Sequence, residues 1–98
     1  MAKLVRVVPS ANRLKKYDAV FDDGRVVSFG ARHENGVPYD DYLRTGDRMK
    51  RENYIARHRV SEDWTDPYAA GTLSRYLLWG ESRSLSKNIA AYRKRFSV

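Results

Sequence analysis

Ninety-eight residues leave room for one domain with one modest core, which excludes a multidomain enzyme. Hydrophobic residues at 42% are too many for a disordered tail, charged residues at 32% are too many for a bilayer span, and the lack of cysteine removes disulfides, thiolate metal sites and thiol catalysis together. A formal net charge of +7, from 19 Lys plus Arg against 12 Asp plus Glu, favours a polyanionic partner.

Lys3 to Val8 is β-branched and stops at Pro9, which cannot donate a ladder hydrogen bond, so a first strand is predicted there. Tyr17–Phe21 and Arg25–Phe29 alternate around Asp22-Asp23-Gly24, the pattern of a hairpin. Two registers compete. A two-residue loop sets Phe21 opposite Val26 and brings Asp18 into the aromatic face. A bulged turn with Gly24 left-handed sets Ala19 opposite Val27 and Tyr17 opposite Phe29. The bulged register is preferred, because it gathers Tyr17, Ala19, Phe21, Val27 and Phe29 on one core-facing side.

Residues 31–46 lose all periodicity in a run rich in Gly, Pro, Asp and Tyr and read as a loop pinned by Tyr39 and Tyr42. Asp47 can cap a helix over Arg48–Arg59 with a narrow apolar stripe and a wide basic face. Thr65-Asp66-Pro67 predicts a second helix from Pro67 to about Trp79, ended by Gly80 in the left-handed conformation. A third, capped by Ser84, carries Leu85, Ile89, Tyr92 and Phe96 at helical spacing and turns Lys87, Arg93, Lys94 and Arg95 towards solvent. The sum is one α+β domain over residues 1–98: β-rich to residue 30, a loop over 31–46, helical from 47. Its small antiparallel sheet, a β-hairpin plus the N-terminal strand, is followed by three helices.

The six glycines are dispersed, so no nucleotide-cradling loop is present, and no cofactor is expected. His33 and His58 stand 25 positions apart, without the spacing of paired ligands, so no metal site is expected. His33 with Glu34, or His58 with Glu62 and Asp63, offers an acid/base pair of the kind nucleases use. A histidine on a helical stripe beside Tyr54 and Ile55 is more commonly a hydrogen-bonded structural residue, so no catalytic set is assigned. Acidic pairs such as Asp22-Asp23, Asp40-Asp41 and Glu62-Asp63 are explained by turns and caps without magnesium.

Residues 1–46 hold eight basic and six acidic side chains, and residues 47–98 hold eleven and six, so the helical part carries most of the excess. Thirteen of the cations are Arg, whose planar fork pairs bidentately with phosphate. The candidate nucleic-acid contacts are Arg48, Lys50, Arg51, Arg57 and Arg59 in one cluster and Lys87, Arg93, Lys94 and Arg95 in another. Nothing in the sequence resembles a base-reading code, so any binding is expected to be mainly independent of sequence.

The run Asn53-Tyr54-Ile55-Ala56-Arg57-His58-Arg59, then Glu62-Asp63-Trp64-Thr65-Asp66-Pro67, then Ala70-Gly71-Thr72-Leu73-Ser74-Arg75-Tyr76-Leu77-Leu78-Trp79-Gly80, resembles a small uncharacterised protein family of large and giant DNA viruses of eukaryotes. Lys15–Arg25, Phe29-Gly30 and Ile89–Phe96 extend the resemblance over about residues 13 to 96. It implies a virion setting and carries no activity to transfer. The leading expectation is a non-enzymatic virion or capsid-associated protein with capsid or other virion proteins and nucleic acid as partners, located in the virion and in the host cytoplasm or nucleus. The alternative is a sequence-independent nucleic-acid-binding protein of viral genome packaging, replication or transcription. A nuclease-like enzyme built on His58 is a third and weaker reading. Trp64 and Trp79 are expected to be core anchors, Arg75 is expected to pair with Asp66 or a neighbouring acid, and no membrane span is expected.

Overall fold

The computed structural model describes residues 2–98 and shows a three-stranded antiparallel sheet followed by helices, an α+β arrangement. Strands β1 (Leu4–Pro9), β2 (Lys15–Phe21) and β3 (Val26–Ala31) lie side by side in chain order. The hairpin takes the bulged register. Tyr17 faces Phe29 and Ala19 faces Val27, while the Phe21 N–H donates to the Arg25 carbonyl at 2.9 Å. Gly24 sits at φ +89, the left-handed conformation this turn requires and side chains disfavour. Ala19, Phe21 and Phe29 are thereby buried together, with Tyr17 and Val27 packed at their margin.

The segment after β3 is more ordered than a loop. Arg32 bridges to Pro38 across a tight turn, and a short helix α1 (Tyr42–Thr45) follows, capped by the Asp41 carboxylate on the Arg44 N–H at 2.9 Å. What holds it is distant in sequence. Lys16 from β2 reaches Asp41 at 2.6 Å with both side chains buried, and donates as well to the Tyr39 carbonyl. Tyr42 enters the core, whereas Tyr39 stays half exposed and stacks on His33 at 3.7 Å.

Helix α2 (Arg48–His58) begins where Asp47 accepts from the N–H groups of Met49 and Lys50. The next helix starts later than Pro67. Asp66 closes only a turn onto Tyr68, and the Pro67 carbonyl, which a helix starting there would give to Gly71, instead accepts the Tyr92 hydroxyl. Helix α3 (Ala70–Leu73) therefore opens after an extended Ala69 with no side-chain cap. It continues into a wider π turn (Ser74–Leu78), whose closing bond runs from the Trp79 N–H to the Ser74 carbonyl, 3.1 Å.

Gly80 does not adopt the left-handed conformation. It is required by space: a Cβ there would lie 2.4 Å from the Tyr76 carbonyl and 2.7 Å from the Asn88 amide. Helix α4 (Leu85–Phe96) is capped by Ser84 as its sequence predicts and ends at Ser97. The α3 segment and its π turn form the middle of the molecule, lying against β3 on one side and α4 on the other. Leu73, Leu77, Leu78, Trp79 and Tyr92 complete the core, each large apolar side chain contributing about 1.5–3 kcal/mol by leaving water.

Candidate nucleic-acid interface

The candidate cations of α2 divide by what they touch. Arg51 is half-buried, and its Nε donates to the carbonyls of Gly80 (2.8 Å) and Trp79 (3.2 Å), capping the end of the π turn. Lys50 faces Asp40 at 3.4 Å, and Arg48 lies 3.5 Å from the Tyr42 hydroxyl. Arg57 and Arg59 are exposed and make no ion pair among the described residues. In α4, Arg93 donates to the carbonyls of Leu4 (2.9 Å) and Val5 (3.2 Å), tying the helix to β1. Lys87 and Lys94 are exposed and unpaired among the described residues, two helical turns apart on one face. Arg95 spreads its guanidinium over the Tyr76 ring at 4.6 Å.

Arg51 and Arg93 are thus committed to backbone carbonyls, where a fork of donors satisfies groups that secondary structure leaves open. Arg13, Arg32, Arg75 and Arg83 do the same elsewhere in the chain. This use accounts for much of the arginine without any external partner.

Arg75 joins the two clusters. Among the described residues it pairs with no acid and its Nε has no partner, while Nη1 donates to the Trp79 carbonyl at 3.0 Å, the oxygen Arg51 also approaches. Its guanidinium lies 5.2 Å from the Trp64 ring and 4.8 Å from Tyr76, with Arg95 against Tyr76 as well. Rings and cations therefore alternate along Trp64, Arg75, Tyr76 and Arg95. Burial lowers the Arg75 pKa, and the positive charges of Arg51 and Arg95 press in the same direction. Trp79 is a core residue, but Trp64 is only half-buried and stands outside the core cluster, its indole N–H without a partner among the described residues.

A cleft of about 800 Å³ opens between β3, the turn at residues 33–39, α2 and the π turn. On its α2 side Tyr54 stacks on Trp79 at 4.4 Å and on His58 at 4.1 Å. Two near-parallel rings that close cannot share one face of Tyr54, so the three form a column ending in His58. The His58 Nδ1 lies 2.7 Å from Glu62 Oε2, the hydrogen-bonded state expected of a structural histidine. Burial pushes the Tyr54 hydroxyl up to about 12, helped by the Glu62 charge. Lys15 and Arg57 reach the same cleft, opposite and beside the column. Sequence periodicity places Tyr54 and His58 on one stripe but carries no sign of Trp79 completing the stack.

Among the described residues, no group of three or more His, Asp or Glu side chains is gathered as a metal ion would need. No helix among the described residues is long and apolar enough to cross a membrane. Fold and surface together define a small α+β module with a basic, aromatic-studded helical side. Residues 5–58, from β1 to the end of α2, match a family of unknown function, DUF5754, and the chain belongs to that family. No curated protein and no solved structure matches it.

Proposed function

We propose that this chain is a small non-enzymatic basic protein of the virus particle, where it holds the backbone of packaged nucleic acid without reading its sequence. The viral setting rests on the resemblance of the Asn53–Arg59 and Ala70–Gly80 runs. The binding mode rests on one observation: the row Trp64, Arg75, Tyr76, Arg95 alternates rings with cations and has no carboxylate ion-paired to it among the described residues. Guanidinium groups interleaved with rings suit phosphates and unstacked bases alike. Arg59, Lys87 and Lys94 add outward charge that steers a polyanion towards the helices.

The test is fluorescence anisotropy with labelled random-sequence DNA across roughly 50 to 200 mM salt, where several phosphate contacts make affinity fall steeply. Arg59→Glu, Lys87→Glu, Lys94→Glu and Arg95→Glu combined should remove binding while leaving the thermal transition nearly unchanged, because none of the four anchors the backbone. Unaltered binding would sink the interface. A second reading, a nucleic-acid-binding protein of replication or transcription, shares that surface. Quantifying the protein in purified particles emptied of genome separates the two: stoichiometric retention supports the particle role, and its absence supports the other.

A further inference from the structure

The cleft beside α2 has a composition that the outer basic row does not explain. One wall ends in the exposed side of the Trp79–Tyr54–His58 column, and the facing turn presents a second stack, His33 on Tyr39 at 3.7 Å. A volume of about 800 Å³ lies within the range of small-molecule sites. Of its two acids, Asp40 is ion-paired to Lys50 at 3.4 Å and Glu62 is hydrogen-bonded to His58 at 2.7 Å, so at most one negative charge is left unbalanced. Lys16 is likewise neutralised by Asp41. Lys15 and Arg57 remain, with no side-chain hydrogen bond or ion pair among the described residues, so the cleft carries a net positive charge between flat apolar surfaces.

A second feature points the same way. The α3 helix widens into its π turn where Ser74 and Leu78 line this cleft, and such interruptions recur at functional sites.

From these features we infer that the cleft is a binding site for a nucleoside monophosphate, its base stacked on the outer face of His58 and its phosphate held by Arg57 and Lys15. The chemistry is a planar ring joined to a dianion, and it has two sources: a free nucleotide or the phosphorylated end of a strand. Ring stacking supplies the affinity that tolerates different bases, while the two cations discriminate against an uncharged nucleoside. The site is separate from the outer row of arginines and stands whether or not that row binds nucleic acid.

Titration of the full chain with AMP, adenosine and inorganic phosphate, followed by heteronuclear NMR, tests this directly. AMP is expected to shift signals around His58 and to bind at least about tenfold more tightly than either fragment, the value of one charge-assisted contact. Lys15→Gln combined with Arg57→Gln should weaken AMP by about tenfold or more with the fold intact. His58→Ala should weaken it too, and His58→Phe, which keeps a flat face, should restore it. Adding a 5′-phosphorylated single strand of about eight nucleotides separates the sources: displacement of AMP by the strand at lower concentration than by its unphosphorylated twin identifies a strand end, and no displacement identifies the free nucleotide. Equal binding of AMP and phosphate, or AMP binding unmoved by the Lys15/Arg57 double variant, overturns the site. The four outer glutamate substitutions are expected to leave AMP binding in place, so a failed interface and a failed cleft give different results.

Discussion

Helices α2 and α4 look alike locally: eleven and twelve residues, each capped by a side-chain oxygen, each basic towards its end. Their tertiary situations differ. α4 buries Tyr92 and Asn88, and Asn88 holds the Leu77 carbonyl at 3.0 Å and the Ser82 carbonyl at 2.7 Å. α2 buries no residue fully and meets the middle of the molecule through the Tyr54 stack and the Arg51 bonds. Equal local signals therefore produce one helix that carries the fold and one that forms a wall of the cleft. Helical stability in proteins comes mainly from what a helix packs against.

The largest test of that contrast is truncation on each helix. Tyr92→Ala removes a fully buried ring and leaves the Pro67 carbonyl without its donor, an expected cost of about 3–5 kcal/mol, close to the whole stability of so small a domain. Ile55→Ala on α2 should cost about 1 kcal/mol, since its side chain is only half-buried. Urea denaturation measures both, and equal losses would abolish the distinction.

Alkaline titration sharpens it. Burial raises the Tyr54 hydroxyl from 10.0 to about 12, so between those values the unfolded chain has lost a proton that the folded chain keeps. Below pH 10 both states keep the proton and stability does not depend on it, and stability declines as pH rises from 10 towards 12. Tyr54→Phe should flatten that decline in the urea midpoint and leave neutral pH nearly unaffected. An unchanged alkaline slope would show that the stack does not hold the proton. The Tyr92 hydroxyl is displaced upwards as well, by burial first and then by Tyr68 and Asp66.

The smallest effect comes from the caps. Asp47→Ala and Ser84→Ala each remove an N-terminal acceptor with a typical cost of about 1 kcal/mol. For Ser84 the loss should appear in the global transition. For Asp47 it should appear as faster hydrogen exchange confined to α2 amides. Global destabilisation of the same size by both would show α2 to be as deeply coupled as α4.

Features set within a few residues were legible in the sequence. The bulged hairpin follows from Gly24 and the alternation around it, and both helix caps follow from an acceptor next to a periodic run. Features set by distant partners were not. The late start of α3 depends on Tyr92 taking the Pro67 carbonyl, and the order of residues 31–46 depends on Lys16 finding Asp41 across the sheet edge. The candidate surface shows the same division. Exposed Arg57, Arg59, Lys87, Lys94 and Arg95 carry the basic character their spacing suggests, while Arg51 and Arg93 serve carbonyls that no local pattern reveals. His58 was readable as a hydrogen-bonded stripe residue, and the column it terminates was not, because Trp79 lies 21 positions further on.

The wide turn at Ser74–Leu78 carries one residue more than an α-turn needs, and the chain leaves the helical conformation directly after it, at Trp79. Losing one residue there would tighten the turn to the ordinary α-helical bond and shift Trp79, which follows it directly, relative to Tyr54. The length of this buried stretch is thereby tied to the aromatic column, whereas surface loops elsewhere in a protein can change length at little cost.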